Sequence, residues 1–134
     1  VMDDAAHFSY RAPLNDGAAK STGAFSLSNP LGSFQLTGRG LVCGVWDDGL
    51  VKDHIEFGNR ILSKEGNDVE SHATHVTGTI LAAGVNPAAR GMAPQASAFT
   101  YYFNNDISEM SAAANADKPL LISNHSYGAV TGWS

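Results

Sequence analysis

The sequence predicts an α/β domain: a three-layer, mostly parallel sheet with helices on both faces. Three observations point there. Residues 41–46 form a continuous apolar run, Leu-Val-Cys-Gly-Val-Trp, that stops at Asp47-Asp48-Gly49. A short run closed by turn formers reads as a strand buried on both faces. Two stretches of helical character, 71–84 and 107–116, alternate with two further apolar runs, 96–103 and 119–123. The resulting β–α–β–α–β order requires right-handed crossovers, which put helices outside a parallel sheet.

Taken in order, residues 1–36 are polar and rich in turn formers such as Asn15-Asp16-Gly17, Ser21-Thr22-Gly23 and Asn29-Pro30. They read as an N-terminal arm that wraps a surface, with some helix near 16–21, and residues 37–134 as the body. Residues 50–70 read as a loop with short strand pieces anchored by Ile55, Phe57, Ile61 and Leu62. The helix over 71–84 has Ser71 as its expected N-cap and Gly84 as its expected stop. Gly78 inside it costs about 1 kcal/mol against Ala, which points to close packing there. In the later helix, Ile107, Met110, Ala113 and Ala114 line up along one face. Sites in such sheets gather at the carboxyl ends of strands. Asp47 and Ser126 sit just past strand ends, and His72 opens a helix.

Composition removes several functions. The 134 residues carry 8 Lys+Arg against 13 Asp+Glu, a net charge of −5, with no cationic cluster. A nucleic-acid binder needs a positive face, so that class is disfavoured. No run of 18 apolar residues exists to span a membrane. Cys43, the one cysteine, forms neither an internal disulfide nor a multi-cysteine metal site, and reads as a small buried hydrophobe. The chain opens at Val1 without a signal-peptide pattern, which suggests processing or a longer parent.

Five positions carry candidate chemistry or recognition. Asp47 after a buried strand is either a turn former or a carboxylate that needs a partner. Asp48 competes for any such role, and strand alternation turns the two to opposite sides. His72 and His75, three apart on a helix, fit a metal pair or a capping and a core histidine. A third reading holds one imidazole on Asp47 as a proton acceptor. A zinc site wants three or four ligands, and neither HExxH nor CxxC is present. Ser126, in Asn124-His125-Ser126-Tyr127-Gly128, lacks the first glycine and following helix of a nucleophile elbow. That stretch better fits a strand whose backbone pairs with an extended ligand. Tyr101, Tyr102 and Phe103 read as core and cleft wall, while His7, His54 and His125 have no partner visible in the sequence.

Three segments together resemble one family. LVCGVWDDG (41–49), SHATHVTGTI (71–80) with GMAP (91–94), and LISNHSYG (121–128) are similar to the subtilisin-like serine proteases, in that family's order. The resemblance implies a subtilisin-like fold, incomplete in this chain, and an Asp-His-Ser endopeptidase acting on polypeptides. By position it makes Asp47 the triad carboxylate and His72 the general base, with His75 supporting the site. Ser126, Tyr127 and Gly128 correspond to the strand that pairs with peptide and walls the specificity pocket.

There are departures from the family pattern. Ala73 stands where the family usually has Gly, and Asp48 where Ser or Thr is common. Asp48 adds a charge that should raise the His72 pKa. Loop 84–90 stands where many subtilases bind calcium, but it offers only Asn86 and carbonyls, so calcium is disfavoured and no cofactor is expected. Neither the family's Gly-Thr-Ser motif nor its oxyanion asparagine is present. The expectation is therefore an N-terminal part of a secreted enzyme, inactive alone, whose partner is the missing C-terminal part of the domain. An exposed sheet edge makes a homodimer the further expectation. The competing class is a binding or structural module that kept the fold and lost catalysis.

Overall fold

The run after Leu41 becomes β1 (Val42–Asp47), whose last five residues are all buried. The computed structural model describes residues 15–29, 31–66, 68–116 and 120–128. The chain passes through α1 (Asn15–Ser21), α2 (Ala24–Ser28), β1, β2 (Ile61–Ser63), α3 (Ser71–Leu81), β3 (Ser97–Tyr102), α4 (Asp106–Ala114) and β4 (Ser123–His125). His7, Pro119 and residues 129–134 lie outside the described residues. Among the described residues, no helix is long and apolar enough to cross a membrane.

The strands lie in the order β2-β3-β1-β4, and every pairing is parallel. On one side of β1, Val42 faces Ser97 and Asp47 faces Tyr102; on the other, Gly44 faces Ser123 and Trp46 faces His125. Both neighbours of β1 follow it in sequence, so the winding reverses at this strand. Such a reversal opens a crevice at the strand's carboxyl end. Asp47 is the residue at that end.

Alternation along β1 sorts its side chains between two layers. Cys43 and Val45 join Phe57, Leu81, Ala96 and Ala98 in the core beneath α3. Trp46 turns the other way, toward α4, where its indole meets Glu109. The parallel α/β architecture predicted from the sequence is the one observed.

One element agrees with the sequence expectation: Ile61–Ser63, among the short strand pieces expected in 50–70, is an edge strand paired with Ala98–Thr100. Several other details differ from it. The cap position of α3 is Glu70, with Ser71 already inside the helix. Its last residue is Leu81, three before Gly84; the Met92 and Ala93 amides donate to Thr79 O and Ile80 O, and the Arg60 guanidinium donates to Leu81 O at 2.8 Å and to Ala96 O at 2.7 Å. Close packing falls on another glycine. A Cβ at Gly78 would meet only Phe57 Cζ at 3.9 Å, whereas one at Gly91 would lie 2.5 Å from Ala82 N and 2.9 Å from Gly78 O. The face of α4 is also rotated, with Ile107 77% exposed while Glu109 and Met110 are half-buried.

The arm is tied to the body by polar contacts. Arg90 donates to Ser28 Oγ and Ser28 O, both at 2.9 Å, and Asn15 Nδ2 donates to Ala89 O at 3.3 Å. Ser28 is buried, so these bonds close over a desolvated group. Helix α2, which the sequence reading missed, carries this anchor at its last residue.

Candidate active site

The path from β1 to α3 sets the site. After Asp48 the chain turns, and Leu50 pairs with Val69: Leu50 N donates to Asp68 O and Glu70 N to Leu50 O, each at 2.9 Å. This ladder holds the start of α3 beside the end of β1. His72, the second residue of the helix, then stands over Asp47, with Nδ1 2.7 Å from Asp47 Oδ1. Asp47 is 1% exposed, while the His72 side chain is about half exposed.

Asp47 Oδ1 also accepts the Asp48 backbone N–H at 2.8 Å. A carboxylate is an acceptor, so the imidazole proton belongs on Nδ1 and Nε2 keeps its lone pair. The hydrogen bond to Asp47 raises the His72 pKa, partial burial opposes it, and the charges of Asp47 and Asp48 add to the rise. The arrangement is an oriented base, able to take a proton at Nε2 and stabilise the resulting imidazolium.

Asp48 departs from the expectation. β1 ends at Asp47, so alternation does not extend to the next residue, and both carboxyls line one cavity with His72. The hydrogen bond to Asp47, then burial, then the Asp47 charge raise the Asp48 pKa.

That cavity, of about 780 Å³, is completed by Phe103, Ser126, Tyr127 and Gly128. Of the five positions given candidate chemistry from the sequence, all but His75 thus meet in one place, with Tyr127 and Gly128 beside them. Ser126 Oγ accepts from Asn124 Nδ2 at 2.9 Å. Among the described residues, no backbone hydrogen bond ties Tyr127 or Gly128 to another segment. Phe103 and Tyr127 stack with centroids 5.1 Å apart and form an aromatic wall.

A set of supporting residues escaped the sequence reading. Trp46 is sandwiched between Tyr101, at 4.2 Å and parallel within 2°, and His125 at 5.1 Å. His125 Nδ1 is 2.8 Å from Tyr127 Oη, and that hydroxyl donates to Asp106. Burial, followed by the bond to Asp106, pushes the Tyr127 phenol up to about 12. The phenol bond in turn holds the Asp106 carboxyl below its usual range. The polar face of α4 was the available signal: Asp106 and Glu109, three apart, accept from an aromatic donor on each of two strand segments.

His75 does not share the site. It lines a separate cavity of about 180 Å³ with His54, Glu56 and Asn15, so the His72–His75 metal pair does not form. Asp47, Asp48 and His72 are instead the one group of three whose donor atoms fall within 4.8 Å of one another among the described residues. Loop 84–90 is organised around an anion. Glu56, 5% exposed, accepts the amides of Gly84, Val85 and Asn86 at 2.6, 3.0 and 2.7 Å. Burial pushes its carboxyl up, but those amides, with His54 nearby, bring it below the usual range.

A family model described as the subtilase family matches residues 38–134. No curated protein matches the chain. The matched span takes in every strand and both helices that position Asp47, His72 and Ser126. The chain therefore belongs to the subtilase family, and residues 38–134 are part of a serine-peptidase-type domain.

Proposed function

We propose that this chain supplies the Asp and His of an Asp-His-Ser triad in a secreted serine endopeptidase. The 2.7 Å contact between His72 Nδ1 and a buried Asp47 carries the reading. His72 Nε2 takes the proton of a serine hydroxyl as that oxygen attacks a peptide carbonyl. Asp47 fixes the tautomer and stabilises the imidazolium. The nucleophile and the oxyanion donor come from polypeptide outside residues 1–134, the C-terminal part of the same catalytic domain.

The substrate is an extended polypeptide laid along Ser126, Tyr127 and Gly128 by strand addition. Backbone groups of Tyr127 and Gly128 without a partner among the described residues support this, as does the place of all three residues in the cavity beside His72. Ser126 serves the substrate backbone rather than the reaction. No cofactor takes part, and a loop whose amides surround Glu56 favours an arrangement without calcium. In the isolated chain, two copies pair through the β4 edge, where Leu121 is 82% and Ile122 52% exposed.

The test uses a serine-directed fluorophosphonate and a peptide substrate. Residues 1–134 alone neither label nor hydrolyse. The complete catalytic domain does both, and Asp47→Asn lowers its kcat by about 10⁴-fold. Labelling at Ser126, or full turnover by a His72→Ala enzyme, would remove the assignment.

A further inference from the structure

The Asp47–His72 contact leaves one strong acceptor unused. Asp47 Oδ2 is buried and has no hydrogen-bond partner, although Asp47 lines the cavity. A desolvated carboxylate oxygen without a partner is costly, and a cation is among the few groups that satisfy it. The same carboxylate stands beside the Asp48 carboxyl and the His72 imidazole, one donor atom from each of the three lying within 4.8 Å of the others.

We propose that Asp47, Asp48 and His72 bind one zinc-class divalent ion, which competes with the proton shared by Asp47 and His72. The donor set selects the metal. An imidazole disfavours calcium and magnesium, which prefer oxygen alone. Zinc takes nitrogen and carboxylate oxygen at about 2.0–2.2 Å and accepts three protein ligands plus a water. Two carboxylates match the dication's charge and lose their mutual repulsion on binding.

The side chains also have the right freedom. Asp47 is fixed in the core, while Asp48 and His72 are exposed and adjust around it. Neither alternative soft ligand reaches the ion: Cys43 is in the core under α3, and His75 lines another cavity. An ion on Nδ1 displaces the proton that orients His72 and prevents the imidazolium from forming. Metal occupancy is therefore inhibitory, a consequence that rests on the proposed role of His72 as base. The binding itself does not.

The experiment titrates zinc chloride into the 134-residue chain by calorimetry and follows histidine side chains by NMR. One equivalent binds and shifts the His72 imidazole while leaving His75 unchanged. Removing groups that only orient a metal ligand costs about 10–100-fold in affinity, so Asp48→Asn weakens binding by at least that range. Asp48 is exposed, so this variant folds, and His75→Ala binds zinc as the parent does. Absence of one-to-one binding, equal affinity in Asp48→Asn, or loss in His75→Ala overturns the site. Because the readout is occupancy, a failed zinc titration leaves the protease reading standing, and an inactive enzyme leaves the metal site testable.

Discussion

Trp46 Nε1 donates to Glu109 Oε2 across 2.9 Å, on the face of β1 opposite the one that carries Asp47. Consecutive residues of one strand are thus tied to different helices, Trp46 to α4 and Asp47 to α3. Replacing Glu109 by Ala leaves the indole N–H of a fully buried ring unpaired, at a cost of about 1–3 kcal/mol. Gln at this position keeps an acceptor and costs less. Denaturant midpoints compare the two, and equal losses would show that the hydrogen bond contributes nothing specific.

His72 titrates above an ordinary histidine, because its bond to Asp47 favours the charged ring. The sign follows from that. Stability from the ion-paired form is complete at low pH and fades as pH rises through the elevated value. A base must be neutral to act, so in the complete enzyme the rate climbs through the same interval. Asp48→Asn lowers the midpoint and Asp47→Asn lowers it further, both read from imidazole chemical shifts. A midpoint unmoved by Asp47→Asn would mean the pair is not formed in solution.

Glu56 behaves in the opposite sense. Its carboxyl is held low in the folded chain, so its contribution is present above the usual carboxylate range and lost on acidification. Glu56→Ala strips the partner from the Gly84, Val85 and Asn86 amides and destabilises by about 2–3 kcal/mol at neutral pH. Glu56→Gln flattens the acid limb of the stability curve. A variant as acid-sensitive as the parent would assign that limb to other carboxyls.

The two glycines along α3 respond differently to a methyl group. Gly78→Ala places a Cβ in ordinary contact with Phe57 Cζ, 3.9 Å away, and gains up to about 1 kcal/mol of helix propensity. Gly91→Ala forces a Cβ to within 2.5 Å of Ala82 N and separates the loop from the helix. Thermal midpoints should move up for the first and down for the second. Movement in the same direction would discredit the packing described here.

The central strand and the helix under His72 were legible because each rests on local chemistry, whereas the grouping of Asp47, His72 and Ser126–Gly128 followed from the family resemblance. The apolar run into Asp47 announces a buried strand, and Ser71 to Leu81 announces a helix, whatever the rest of the chain does. Asp48 was misread because pleat alternation was carried one residue past the end of β1. The Trp46–Glu109 and Tyr127–Asp106 bonds were invisible because their partners lie 63 and 21 residues apart. On α4 those bonds turn acidic residues inward and leave Ile107 outside, against the pattern of apolar spacing. Arg60 escaped for the same reason, since the carbonyls it serves belong to positions 21 and 36 residues further on.

The position of β1 between two later strands also governs how the chain can mature. As synthesis proceeds from the amino end, β1 leaves the ribosome with neither flank available, and its second flank is complete only once His125 has emerged. Until then a highly apolar segment waits unprotected, and pairing across such sequence distances is slow. Nascent chains that have not yet exposed His125 should therefore depend on a holding factor, with commitment to the native topology coming late and nearly all at once.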